Sequence, residues 1–280
     1  MPTTQTDANL IHYDIRGEGT AAILFNHSGA SSLAWSERFL ETLAEQLTVV
    51  TFDYRGTGHS SPASSAFSLS DLAADGRAIL EAEGIASAIV IGTSMGGAVA
   101  QEFALAYPDQ VPALILLGTF AGSEHRIPPD PRVLELLALP EKPLSKVERM
   151  RRLLPTIYAP TFLEQHEEFV LDLELKGARF STDETIARHG AATSAFDLYE
   201  RLPSMSTRTL VIHGTADPII PVKNGEILAG RIRNAEYVTL EGVGHLPAVE
   251  QPMEVAKRIL KFALERRLLR ASGSQPHSAD

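Results

Sequence analysis

Hydrophobic positions along this chain recur with two different periods, and the switching between them predicts its architecture. Residues 10–15 alternate, with Leu10, His12 and Asp14 opposite Ile11, Tyr13 and Ile15, as in a half-buried strand. Arg16-Gly17-Glu18-Gly19 then turns the chain toward Ala22-Ile-Leu-Phe25, which predicts an N-terminal hairpin feeding a buried strand. Leu33 to Gln46 reads as helix, and Leu47 to Phe52 is the next apolar, β-rich run. Asp53 to Pro62 breaks regular structure. Ser70 is a candidate N-cap for a helix to about Glu83, with Leu69, Leu72, Gly76 and Ile79 on one face and Gly84 beyond its end.

Ile89-Val90-Ile91 follows as a β-branched run stopped by Gly92, and Val99, Phe103 and Ala106 then repeat at helical spacing up to Tyr107-Pro108. Ala113 to Leu117 is another short buried strand. From Ala121 to about Pro203 the pattern changes. This stretch holds eight of the chain's 17 prolines and four helical pieces (133–139, 146–154, 162–175 and 182–198), with no convincing strand. The alternation resumes with the strand Thr209 to His213, a helix around Gly225 to Arg231, the strand Glu236 to Leu240 and a helix from Pro252 whose inward stripe is Val255, Ile259 and Phe262. Strands alternating with helices predict an α/β fold, a parallel sheet covered on both faces. The predicted organisation is a core in two parts, 1–120 and 205–270, a helical lid at 121–204 and a disordered polar tail at 271–280.

Composition narrows the function. The chain has 280 residues, 44% hydrophobic and 21% charged, enough to bury one large core. Its net charge of −10 and the absence of any long basic run argue against nucleic acid as a partner. With no cysteine there is no disulfide framework or thiolate metal site, and no apolar run reaches membrane-spanning length. The polar N-terminus lacks the features of a leader, so a cytoplasmic protein with no membrane partner is expected, as a monomer or homodimer.

The chemistry concentrates at Gly92-Thr93-Ser94-Met95-Gly96-Gly97. A turn from strand directly into helix brings the two backbones together, so positions two before and two after Ser94 can carry almost no side chain. The segment resembles the G-x-S-x-G nucleophile elbow of the α/β-hydrolases. Two further fragments resemble that family's acid and histidine loops: Gly214-Thr-Ala-Asp217-Pro after one strand, and Gly242-Val-Gly-His245 after the next. The resemblance runs from about Leu10 to Leu269. It implies an eight-stranded, mostly parallel sheet with the lid inserted after the sixth strand, and a Ser94, Asp217, His245 triad that works without a cofactor or metal.

In the same family the oxyanion is held by two backbone N–H groups. One falls on Met95. The other belongs to the loop after Phe25, where Asn26-His27-Ser28-Gly29 departs from the usual His-Gly pair; aligning His27 with the family histidine makes Gly29 the donor and Ser28 the lesser candidate. The Asn-x-x-Gly phrasing also resembles 3-oxoadipate enol-lactonases. The resemblance therefore implies a serine hydrolase, and the predicted lid, with Tyr158, Phe162, Phe180, Phe196 and Tyr199 but no clustered cations, points to a small or medium, largely apolar ester or lactone. Carbon–carbon or amide bond hydrolysis and a small-molecule receptor role are the alternatives. His27, Ser28, Trp35, Phe120, Tyr158, Phe162 and Leu246 are candidates for the substrate pocket. His27 is expected to brace its loop by hydrogen bonding, and Asp53 and Arg55 to form an ion pair or turn network. His59 is expected to be a loop residue, and the lid histidines His125, His166 and His189 to be solvated.

Overall fold

A computed structural model of the chain describes residues 2–6, 9–137 and 144–269. The predicted end of the helix 133–139 and the predicted disordered tail fall outside the described residues. Eight strands form one sheet in the order β1-β2-β4-β3-β5-β6-β7-β8. They are β1 (Thr3–Thr6), β2 (Asn9–Arg16), β3 (Thr20–Phe25), β4 (Leu47–Phe52), β5 (Ile89–Thr93), β6 (Leu114–Leu117), β7 (Thr209–Gly214) and β8 (Glu236–Leu240).

The predicted hairpin is corrected. β2 and β3 are consecutive but do not pair; β4 lies between them, antiparallel to β2 and parallel to β3. The turn at Gly17 and Gly19 packs against the Ala44 to Leu47 backbone, where a Cβ at either glycine would collide. β3 pairs with β4 on one edge and β5 on the other, while helix layers cover both of its faces. β1, a polar edge strand, carried too little hydrophobic signal to be predicted.

The helices are α1 (Glu37–Ala44), α2 (Leu69–Ala82), α3 (Met95–Ala106), α4 (Pro131–Leu137), α5 (Lys146–Ile157), α6 (Pro160–Gly177), α7 (Asp183–Ser194), α8 (Lys223–Arg231), α9 (Pro247–Glu250) and α10 (Pro252–Glu265). The N-cap of α2 is Ser68 rather than Ser70, because Asp71 three residues on returns a bond to the Ser68 N–H and completes a capping box. The predicted helix from Leu33 is split, with a 3-10 turn at Ser32–Ala34 before α1.

Side chains alternate across the central strands, so each strand feeds two cores. Ile23, Phe25, Val90, Leu114, Leu116 and Val211 face the layer containing α2, α3 and α8. Ala22, Leu24, Ile89, Ile91, Ile115 and Ile212 face the layer containing α1 and α10. Helices α4 to α7 leave the sheet after β6 and return to it at β7, with their own cluster around Leu154, Tyr158, Val170 and Leu246. The strands β3, β5, β6 and β7 run parallel, so the loops that follow them leave from the same edge of the sheet.

Candidate active site

Ser94 sits between β5 and α3 with φ 55° and ψ −123°, a conformation costly for any residue with a Cβ. The surrounding backbone enforces it. A Cβ at Gly92 would collide with the Gly96 carbonyl, and one at Gly96 would collide with the carbonyls of Phe25 and Asn26. The Ser94 N–H donates to the Leu117 carbonyl (3.0 Å), and the Thr119 hydroxyl donates to the Ser94 carbonyl (2.7 Å), so the next strand holds the turn.

The three residues singled out from separate loops come together. His245 Nε2 lies 2.9 Å from Ser94 Oγ, and His245 Nδ1 lies 2.7 Å from Asp217 Oδ2. A carboxylate only accepts, so Nδ1 carries the proton and Nε2 offers its lone pair to the Ser94 hydroxyl. Asp217 Oδ1 accepts the N–H groups of Ile219 (3.0 Å) and Ile220 (2.8 Å), which turns the aspartate's loop around its own side chain. Burial pushes the Asp217 carboxyl up, but His245 and His213 outweigh it and bring it down to about 2.

His213 was missed in the sequence. Its Nε2 donates to the Ile220 carbonyl (2.7 Å) and lies 3.4 Å from Asp217 Oδ2, so it buttresses the acid from behind. The available signal was a histidine ending an otherwise apolar buried strand, four residues before the aspartate.

The segment predicted as a lid contacts both the histidine loop and the loop after β3. On the histidine side, the His245 N–H donates to the Ile157 carbonyl (2.8 Å). Glu250 Oε1 accepts from both Gly244 N–H (3.0 Å) and the lid's Ala159 N–H (3.2 Å). Burial raises the Glu250 carboxyl to about 7 even though both donors favour its charged form.

On the other side, the Gly29 N–H donates to His189 Nδ1 (2.9 Å). His189 is accordingly fully buried, against the expectation that it is solvated, because α7 folds back over the loop after β3. Burial lowers its pKa to about 4, with His27 a lesser contributor. His125 stacks on Tyr199 and His166 lies against Phe162.

The other candidates divide. His27 Nδ1 is 3.3 Å from the Ser28 carbonyl, and burial lowers its pKa. Its Nε2 faces Glu174 Oε2 at 3.9 Å, and the Tyr158 hydroxyl donates to Glu174 Oε1 (2.5 Å). Leu246 and Phe162 join Tyr158 in the lid-side cluster. Trp35 and Phe120 are packed into the two sheet cores, Trp35 stacked on Phe39 and Phe120 edge-on to Phe196.

Asp53 and Arg55 serve different networks. Asp53 accepts from the N–H groups of Ser32 and His59 and pairs with His12, whereas Arg55 makes a two-pronged pair with Asp75. The His59 ring lies between His12 and Phe180, 5.1 Å from each. Among the described residues no group of three or more His, Asp or Glu side chains converges as metal ligands would, and no helix is long and apolar enough to cross a membrane.

Known proteins are similar to this chain in sequence and fold. Residues 21–252 match the alpha/beta hydrolase fold family. The chain is 32% identical over 253 residues to a poly(3-hydroxyalkanoate) depolymerase of Ectopseudomonas oleovorans, a match covering 89% of this chain and 86% of that protein. Among solved structures it is similar to a thermophilic esterase from Thermogutta terrifontis (TM-score 0.78, 25% identity, 95% of this chain and 98% of that one). It is equally similar to the enol-lactonase of Burkholderia xenovorans LB400 (TM-score 0.79, 25% identity, 94% and 100%). With its family matched over most of its length and its relatives esterases, lactonases and depolymerases, this chain belongs to the alpha/beta hydrolase fold family and is a hydrolase.

Proposed function

We propose that the protein cleaves a small or medium carboxylic ester or lactone through an acyl-enzyme on Ser94. The observation that carries this reading is the continuous chain from Ser94 Oγ through His245 to Asp217, with contacts of 2.9 and 2.7 Å. As Oγ attacks the carbonyl carbon, its proton passes to His245 Nε2 and the carbonyl π pair moves onto oxygen. Asp217, ionised across the working range, balances the imidazolium without taking its proton. Collapse of the tetrahedral adduct breaks the bond to the leaving oxygen, which takes the Nε2 proton. Water then attacks the acyl-enzyme through the same base and frees the acid.

Two N–H groups suit the developing oxyanion. Met95 N–H opens α3, where the first turn has no helical acceptors and the dipole favours negative charge. The second is assigned to Ser28 rather than Gly29, whose N–H is taken by His189. The apolar lid-side cluster around Tyr158, Phe162 and Leu246 favours an apolar acyl chain near the nucleophile.

Short-chain nitrophenyl esters test the proposal directly. Wild-type protein should hydrolyse them, and Ser94→Ala should lower kcat by on the order of 10⁴-fold or more with the fold intact. Undiminished turnover by the variant would remove Ser94 from the reaction.

A further inference from the structure

Five consecutive backbone N–H groups follow Asn26 in the loop after β3, and four of them are engaged. His27 N–H donates to the side chain of Asn26 (2.8 Å), Gly29 N–H to His189 Nδ1 (2.9 Å), Ala30 N–H to the His27 carbonyl (3.4 Å) and Ser31 N–H to the Gly177 carbonyl (3.0 Å). Only the Ser28 N–H has no hydrogen-bond partner among the described residues. Two of the four acceptors belong to the lid, and the lid also holds the loop's carbonyl side, where the Ser181 hydroxyl donates to the Gly29 carbonyl (2.7 Å).

We propose that His189 is a positioning residue for hydrolysis: by accepting the Gly29 N–H from the seated lid, it fixes the peptide that aims the Ser28 N–H at the oxyanion. The inference rests on the reading of Ser94 as nucleophile.

Three features make the His189 contact specific rather than incidental packing. Gly29 adopts φ +73°, a conformation in which it can swing readily, so an external clamp on its N–H and C=O decides where the preceding peptide points. The ring is held edge-on by Tyr54 and Phe67, with centroids at 5.6 and 5.5 Å, and Tyr54 in turn donates its hydroxyl to the Asn26 carbonyl (3.0 Å). One aromatic therefore braces both the loop and the residue that clamps it. Burial also keeps the imidazole neutral, and a neutral ring with Nδ1 bare is the form able to accept from Gly29.

A displaced oxyanion donor weakens transition-state binding far more than ground-state binding. His189→Ala should therefore lower kcat about 10–100-fold with KM within about twofold of wild type, and weaken inhibition by a trifluoromethyl ketone by a similar factor. His189→Asn, whose Oδ1 can accept from Gly29 in place of Nδ1, should recover most of that loss. Ser181→Ala, at a partly buried position, should shift kcat in the same direction by a smaller factor. It carries the test should the buried histidine variants fail to fold, as read by thermal melting.

Wild-type kcat in folded His189→Ala would overturn the proposal. So would a loss confined to KM, His189→Asn no better than alanine in a folded protein, or, where the histidine variants do not fold, wild-type kcat in Ser181→Ala. Failure of the underlying reading has a different signature: Ser94→Ala would retain activity whatever happens at His189.

Discussion

At the scale of single residues, Asp217 carries the clearest electrostatic signature. Burial opposes its ionisation, yet two histidines and two peptide N–H groups hold it charged, with a pKa down at about 2. Its depressed folded-state value means that this contribution to stability is present above the unfolded carboxyl's range and is lost as pH falls through about 2. Any acid limb of the rate above pH 4 therefore does not arise from Asp217. Replacing it by asparagine should cost about 10⁴-fold in kcat, measured by steady-state ester hydrolysis, because an amide can fix the wrong imidazole tautomer and cannot balance the imidazolium.

Among single residues the sequence was most legible where backbone geometry leaves no choice. Gly92 and Gly96 announce the turn at Ser94 because any Cβ there meets backbone. His189 was illegible for the opposite reason. Nothing local marks a lid histidine as buried, since its burial and its bond to Gly29 depend on a segment 160 positions away in the chain.

At the scale of elements, helices from the segment between β6 and β7 are tied to the loops on both sides of the proposed site. Glu250 ties the α5–α6 junction to the histidine loop through Ala159 and Gly244. Its carboxyl is raised by burial to about 7, so the folded state holds this proton more tightly than the unfolded one. Stability should then fall as pH rises from about 4.5 to 7, the interval between the two pKa values. Glu250→Gln should flatten that part of the profile, as read from melting temperature against pH; an unchanged slope would mean that the carboxyl is not the source.

Helices α5 to α7 were recognisable from their periodicity to within a few residues. The β2–β3 hairpin was misread because pairing partners are not written into either strand. Both are hydrophobic enough to be strands, but β3 pairs with β4 and β5, strands that lie far from it in the sequence.

At the scale of the whole molecule, two cores share one sheet, and Phe25 links the larger of them to the site. Its ring lies edge-on to Phe52 and tilted against Phe103, at 5.3 and 5.7 Å, while its carbonyl abuts Gly96 under the elbow. Phe25→Ala should destabilise the fold by about 3–5 kcal/mol in urea denaturation. Because the cavity opens beneath both the proposed oxyanion loop and the elbow, activity in the surviving folded fraction should fall as well.

The sequence by itself indicated seven of the eight strands and most of the helices, the helical excursion between β6 and β7, and a serine, an aspartate and a histidine on three separate loops. Each of these depends on local periodicity, on glycine where backbones touch, or on the order of loops along the chain. Tertiary structure alone decided which strands are neighbours, that His213 stands behind Asp217, and that the Gly29 N–H goes to His189 while the Ser28 N–H has no partner among the described residues. Those outcomes are competitions among buried donors and acceptors brought together from distant parts of the chain, and no local pattern records which acceptor a given N–H will find once water is excluded.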